Sequence, residues 1–73
     1  MTTLIFVCDG SFVSDDGKKY STHRLLLQYE NQKGVSYGLE KYDAKKITSD
    51  DLAERIGYPI NPLYDKYGRI VSI

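Results

Sequence analysis

Two similar turn signatures constrain the fold of this chain more than any other feature. The first is Ser-Asp-Asp-Gly at residues 14–17, and the second is Asn-Gln-Lys-Gly at residues 31–34. In each, a residue that favours the start of a type I turn is followed by a glycine suited to the left-handed position after it. Both therefore predict three-residue hairpin loops that join three antiparallel strands.

These turns also predict the register of the strands. The first pairs Ser14 with Lys18 and sets Phe12 opposite Tyr20, and the second pairs Asn31 with Val35. Odd-numbered residues of the second and third strands then share a core face, namely Leu25, Leu27, Tyr29, Val35, Tyr37 and Leu39. The opposite face carries Tyr20, Thr22, Arg24, Leu26, Gln28, Ser36, Gly38, Glu40 and Tyr42. That second face has more rings and fewer charges than a solvated face usually has, and Gly38 is expected to give flat access to it.

The first strand is predicted to be long and bent. Thr3–Val7 is apolar on both faces, like a strand buried on both sides. Asp9 and Gly10 then interrupt the pattern, which Phe12 resumes at once. We therefore expect a bulge or sharp bend at residues 9–10.

The second half of the chain predicts one helix and one further hairpin. Thr48 or Ser49 is expected to cap a short helix that ends at Gly57 and buries Leu52 and Ile56. Two short strands, at residues 63–64 and 69–73, flank a turn at residues 65–68. The order is β-β-β-α-β-β: a mainly β domain with one short helix, spanning residues 1–73. That order matches the OB-fold, a small Greek-key barrel, with an SH3-like barrel or an open meander with a helix laid on it as alternatives.

Composition excludes several classes of function. With one cysteine, Cys8, and one histidine, His23, the chain has neither a disulfide nor a zinc site of its own. It also has no general acid/base pair, so we expect no catalysis and no cofactor. The apolar run Leu4–Cys8 is too short to span a membrane, and the expected setting is cytoplasmic. Ten basic residues balance ten acidic ones, so any attraction to nucleic acid must come from local clustering.

A local cluster of this kind follows from the expected fold. An OB-fold ligand lies across strands 2 and 3, between the loop joining strands 1 and 2 and the loop joining strands 4 and 5. Here those loops are residues 15–19 and 65–69, both basic, in a chain with seven tyrosines and no tryptophan. Rings that stack on bases, flanked by cations that hold phosphates, are typical of single-stranded nucleic-acid binding. The candidate residues are Lys18, Lys19, Tyr20, Arg24, Leu26, Tyr42, Lys66, Tyr67 and Arg69.

The segment Gly-Lys-Lys-Tyr-Ser at residues 17–21, followed by a long alternating strand and a second hairpin, resembles a known family. It is similar to the single-stranded DNA-binding (helix-destabilising) proteins of filamentous phages, over roughly residues 10–45. The resemblance implies a dimeric OB-like barrel, phage- or plasmid-borne, that coats single-stranded DNA during replication. It carries that role onto Lys18, Lys19 and Tyr20. The chain departs from the family in its shorter length, its helix and its fewer groove arginines.

Two expectations concern partners. The terminal segment Arg69–Ile73 is strongly apolar, and a β terminus of this kind pairs with a second copy unless it is buried, which predicts a homodimer. The alternative function is a protein-interaction module, such as a small phage-type inhibitor of a host enzyme. Exposed tyrosines are also favoured at protein interfaces, and neutral charge suits a protein partner.

Overall fold

Two glycine-containing turns join the first half of the chain into a three-stranded antiparallel meander. The computed structural model describes all 73 residues, in the predicted order β-β-β-α-β-β. The elements are β1 (Thr2–Val13), β2 (Lys19–Asn31), β3 (Gly34–Lys41), α1 (Ser49–Ala53), β4 (Leu63–Tyr64) and β5 (Ile70–Ser72). The mainly β class with one short helix is confirmed.

The strands form two sheets, and they do not close into a barrel. One sheet has the order β1-β2-β3, and β4 pairs only with β5. Single bridges, Thr3 to Pro59 and Tyr42 to Ile70, connect the C-terminal segments to the meander. Of the predicted alternatives, an open meander with a helix laid on it describes this arrangement. No helix is long and apolar enough to cross a membrane.

The first hairpin has the predicted geometry. The main-chain N–H of Ser14 donates to the carbonyl of Lys18 at 2.8 Å, and Gly17 has a φ of 83° in the left-handed region. Phe12 consequently pairs with Tyr20. This turn prediction is confirmed.

The predicted register of the second hairpin is wrong by one residue. Gly34, at a φ of 135°, pairs with Asn31 as the first residue of β3, so the loop has two residues rather than three. A shift of one residue moves every side chain of a strand to the other face. Val35, Tyr37 and Leu39 are therefore 51%, 62% and 57% exposed instead of forming the core.

Gly38 shows the consequence on the opposite face. It pairs with Leu27, on the core side of the sheet, and does not give flat access to a ligand as predicted. A Cβ atom at Gly38 would lie 3.1 Å from Cε2 of Tyr29, whose ring covers the glycine. The Tyr29 hydroxyl donates to Glu40 Oε1 at 3.0 Å. The glycine thus makes room for a half-buried tyrosine.

The irregularity in β1 also differs from the prediction. Asp9 and Gly10 pair regularly with His23 and Thr22, and the register shift lies between Leu4 and Phe6. The extra residue changes which side chains face inward, so that Leu4 and Val7 both pair with core leucines of β2. This bulge explains why the segment reads as apolar on both faces.

The helix is shorter than predicted. Thr48 caps it, with Oγ1 accepting from the N–H of Asp51 at 3.2 Å, but the helix ends at Ala53. Leu52 is fully buried as expected, whereas Ile56 lies beyond the helix and is 38% exposed. The predicted burial of Ile56 is therefore wrong.

The core lies between the inner face of the meander and the C-terminal segments that cross it. Its members are Leu4, Leu25, Leu27, Tyr42, Ile47, Leu52, Ile60 and Ile70. Ile70 is fully buried and Ile73 packs against this core, so the terminal strand is covered by its own chain. The prediction that an unburied terminal strand pairs with a second copy is therefore wrong, while the homodimer itself stays a prediction.

Candidate nucleic-acid interface

The first hairpin extends well beyond the three-stranded sheet. β3 ends at Lys41, which pairs with Arg24, so residues 9–23 continue as a two-stranded ribbon. The molecule is accordingly elongated, with extents of 47 × 24 × 23 Å. We call residues 9–23 the arm.

The arm carries one pair of stacked rings. Phe12 and Tyr20 lie opposite each other with ring centroids 5.4 Å apart and planes inclined by 24°. They are 53% and 45% exposed. Such a pair presents an exposed aromatic surface on which a nucleobase can stack.

The tip of the arm is not a purely basic loop. Lys18 and Lys19 are exposed there, but the same loop contains Asp15 and Asp16. The Asp16 carboxylate accepts hydrogen bonds from the Ser14 hydroxyl and from the N–H of Lys18, and these hold the pKa of Asp16 below its ordinary value. The two lysines therefore sit beside two carboxylates and add little net charge.

A cleft of about 420 Å³ lies where the arm joins the body of the protein. Its walls are formed by Phe12, Ser21, Thr22, His23, Arg24, Lys41, Tyr42 and Arg69. Lys41 and Arg69 also border a second concavity, of about 340 Å³, whose third lining residue is Tyr67. We call the two together the basic track. No carboxylate side chain lines it, although the chain as a whole is neutral.

The far end of the basic track is the loop between β4 and β5. Tyr67 is 70% exposed, with Lys66 Nζ at 5.1 Å and Arg69 Cζ at 5.3 Å from its ring centroid. Both distances are within the range of cation–π interactions. This end therefore combines an exposed ring with two cations.

Asp65 holds this loop in place. Its carboxylate accepts hydrogen bonds from the N–H groups of Tyr67 and Arg69, each at 2.9 Å, and from Arg69 Nε at 3.0 Å. These hydrogen bonds, led by that from the Arg69 main chain, lower the pKa of Asp65. Arg69 also lies 3.7 Å from Asp43, so part of its charge is already compensated. Arg24 and Lys41 make no such ion pair.

Tyr42 does not have the predicted role. It is only 4% exposed, and its hydroxyl donates to Asp9 Oδ1 at 2.7 Å. Asp9 Oδ1 also lies 3.3 Å from His23 Nδ1. The rings of His23 and Tyr42 pack edge to face, with their centroids 5.5 Å apart. Tyr42 thus forms the floor of the cleft and joins the arm to the body, and it offers no free face for stacking.

The structure divides the predicted site residues among several places. Arg24, Tyr67 and Arg69 line the basic track, with Lys66 beside them, whereas Lys18, Lys19 and Tyr20 lie along the arm. Lys18 is about 20 Å along the strand from Arg24, at about 3.3 Å per residue. Leu26 is half-buried between Phe6 and Leu39, and it lines neither concavity of the track.

Sequence reasoning missed Lys41 and Phe12 as members of this site. The first turn predicts that Phe12 lies opposite Tyr20, although Phe12 is not among the candidate residues. The predicted register puts odd-numbered residues of β2 and β3 on the core face, and Lys41 was missed for this reason. With the two-residue loop, Lys41 pairs with Arg24, and the two cations lie side by side.

Comparison with known proteins finds no family model, no curated protein and no solved structure that matches this chain. Within the structure, no group of three or more histidine, cysteine, aspartate or glutamate side chains is placed to hold a metal ion.

Three tyrosines with raised pKa values predict a loss of stability at alkaline pH. Burial, with the hydrogen bond to Asp9, raises the pKa of Tyr42 above the ordinary value of about 10. Burial and the contact with Glu40 do the same for Tyr29, and burial also raises the pKa of Tyr64. The folded state therefore binds these protons more tightly than the unfolded chain. Their stabilising contribution is complete below about pH 10 and is lost as the pH rises through the folded-state pKa values.

Urea unfolding at a series of pH values across this range measures the effect. The free energy of unfolding is expected to fall above about pH 10, and Tyr42→Phe is expected to reduce the steepness of that fall. Tyr37→Phe, which removes a hydroxyl on an exposed side chain, serves as the control. A variant Tyr42→Phe with the pH profile of the unaltered protein would contradict the prediction.

Proposed function

We propose that the chain is a non-catalytic protein that binds single-stranded nucleic acid, with DNA favoured, along the arm and the basic track. Bases stack on the Phe12–Tyr20 pair and on Tyr67. Arg24, Lys41 and Arg69 hold the phosphates between these rings. The closed OB-like barrel implied by the phage-protein resemblance is not required, since the flanking loop at residues 65–69 borders the track in an open sheet.

The observation that carries the proposal is the absence of carboxylates from a track lined by three cations in a neutral chain. The three charged side chains that line the track are all cations, and the carboxylates that contact Arg69, Asp43 and Asp65, are not among the lining residues. Phosphate contacts supply most of the affinity for nucleic acid that does not depend on sequence. The segregation of charge at this one place supports an anionic, extended ligand.

The exposed rings favour a single strand over a duplex. Bases of a duplex are stacked on one another, so they are not free to stack on Phe12, Tyr20 or Tyr67. Each base that stacks on an aromatic side chain contributes about 1–3 kcal/mol, which compensates for few phosphate contacts. A binder with so few cations therefore gains more from a single strand.

Fluorescence anisotropy with a labelled oligo-dT, at low and at moderate salt, tests the proposal. We expect binding at micromolar protein that weakens with salt, and weaker binding to a duplex of equal length. The absence of any anisotropy change at micromolar protein and low salt would eliminate the proposal. Poly-glutamate of matched charge serves as the control for an effect of charge alone.

The stacked rings of the arm give a prediction for a variant that loses affinity for the ligand but keeps its stability. Tyr20→Ala is expected to cost about 1–3 kcal/mol of binding free energy, because one stacking surface is lost. Tm is expected to change little, since the ring lies on the exposed surface of a ribbon. Tyr58→Ala, which removes an exposed ring outside the track, is the matched control for the anisotropy titration. Equal losses in the two variants would show that the arm has no special part in binding.

A second candidate is a protein-interaction module, such as an inhibitor of a host enzyme. It is favoured by exposed apolar side chains outside the track, at Tyr58, Leu63 and Tyr64. Capture of partners on the immobilised chain, repeated after nuclease treatment, distinguishes the two functions. A protein retained after nuclease supports this candidate, and material lost with the nuclease supports the first.

A further inference from the structure

The outer edge of β3 has no partner within the chain. β3 pairs with β2 on one side, and none of the main-chain hydrogen bonds outside the helix and strand ladders involves residues 34–41. By contrast, the start of β1 is covered on its outer edge. There the N–H of Leu4 donates to the carbonyl of Tyr58, and the N–H of Gly57 donates to the carbonyl of Leu4. The open edge of β3 is thus eight residues of unprotected strand.

The direction of the free groups on this edge follows from the ladder. The N–H of Tyr42 donates to the carbonyl of His23 just beyond β3, so these two residues form a hydrogen-bonded pair in line with the ladder. Hydrogen-bonded pairs alternate along an antiparallel ladder, so even-numbered residues of β3 point their main-chain groups toward β2. Val35, Tyr37, Leu39 and Lys41 therefore point theirs outward.

The side chains of this edge are apolar as well. Val35, Tyr37 and Leu39 are each more than half exposed, on one face of the sheet. Leu39 adjoins Leu26, and Leu26 adjoins Phe6, so the apolar surface continues across all three strands. The edge contains no proline and no bulge, and its two charged residues, Glu40 and Lys41, lie together at its C-terminal end.

We propose that β3 pairs with β3 of a second copy of this chain, antiparallel and about a two-fold axis at Gly38. The meanders then form one six-stranded sheet with a continuous apolar face. A two-fold interface uses the same surface on both copies, and an antiparallel edge satisfies this requirement on its own. The inference does not rest on the proposed nucleic-acid binding.

The pattern of charges is compatible with a second copy in this register and disfavours a shift toward the loop. With Gly38 opposite Gly38, Tyr37 lies opposite Leu39 of the other copy, Val35 opposite Lys41, and Ser36 opposite Glu40. No like charges then face each other. Moving the register by two residues toward the loop sets Lys33 opposite Lys41, which is unfavourable.

The thin core supports the same conclusion. Only 8 of the 73 residues are buried, although the chain has many large apolar side chains. Contiguous exposed apolar surface on a small protein marks an interaction site. A second copy on β3 covers the part of that surface that lies beside unpaired main-chain groups.

Sedimentation equilibrium of the full chain, without nucleic acid, tests the proposal together with hydrogen exchange. At high chain concentration we expect about twice the 8.3 kDa mass of one chain. The amides of Val35, Tyr37 and Leu39 are expected to become protected as the mass doubles. Those of Ser36, Gly38 and Glu40 are expected to be protected at every concentration.

Leu39→Lys and Leu63→Lys form a matched pair of variants. Both replace an exposed leucine of a strand, 57% and 61% exposed respectively. Leu39→Lys is expected to be a monomer whose Tm at low chain concentration equals that of the unaltered protein, and Leu63→Lys is expected to keep the doubled mass. A chain that stays monomeric at high concentration overturns the proposal. A dimer whose odd-numbered β3 amides stay unprotected, or that survives Leu39→Lys, also overturns it.

Discussion

Leu27→Ala is expected to lower the free energy of unfolding by about 2–5 kcal/mol. Leu39→Ala is expected to change it by less than about 0.5 kcal/mol. The two leucines lie on neighbouring strands, but Leu27 is fully buried against the C-terminal segments and Leu39 lies on the exposed face. Removal of three carbons from Leu27 leaves a cavity, and the same change at Leu39 leaves only solvent.

Urea denaturation followed by circular dichroism measures both values. The titrations are made at low chain concentration, where pairing of β3 between copies does not contribute. The two variants carry the same substitution, so each is the other's control. If Leu39→Ala strongly lowered the free energy of unfolding under these conditions, the result would support the three-residue loop instead. In that register residues 35, 37 and 39 lie in the core.

The combined change Arg24→Ala with Lys41→Ala is expected to weaken binding of oligo-dT and to reduce its salt dependence. Both cations lie in the basic track, and neither forms an ion pair within the chain, so both are free for phosphates. The slope of log affinity against log salt is expected to fall by about 0.7 per contact, about 1.4 in all. Anisotropy titrations at several salt concentrations give this slope.

Lys33→Ala with Lys45→Ala is the control for this charge change. It removes two positive charges from exposed turns outside the track and so leaves the net charge equal to that of the test variant. We expect the control to keep most of the slope. An equal loss in both variants would mean that the ligand responds to total charge and not to the track.

The two hairpins show how far local sequence determines this fold. At Ser14-Asp15-Asp16-Gly17 the glycine takes the left-handed conformation that the turn type requires, and the predicted register follows. Asn31-Gln32-Lys33-Gly34 presents the same pattern, but its glycine enters the strand. The two outcomes differ by one residue in the loop. The packing of Tyr29 over Gly38 is a tertiary contact that the turn pattern alone does not contain.

The candidate site shows the same limit. Tyr20 and Arg24 lie on one face as predicted, because they are an even number of residues apart on the continuous strand β2. The prediction puts Tyr42 on the wrong face and omits Lys41. Both assignments depend on whether the odd-numbered or the even-numbered residues of β3 face the core. Arg69 reaches the cleft through the bridge between Tyr42 and Ile70, a contact between segments far apart in the chain. Only the analogy with the OB-fold, in which two loops flank the ligand groove, predicts that the loop at residues 65–69 lies near this site.

The arm has a consequence for the motions of this protein. Its two strands are held by their mutual hydrogen bonds and one ring pair, with no third strand and no core beneath the tip. Segments with few buried contacts open locally at a free-energy cost well below that of global unfolding. Protection of amides against exchange should therefore decrease from Arg24 outward to Gly17, in steps along the ribbon. Any ligand that bound against such a ribbon would have to order it, so part of its binding enthalpy would be offset by lost conformational entropy.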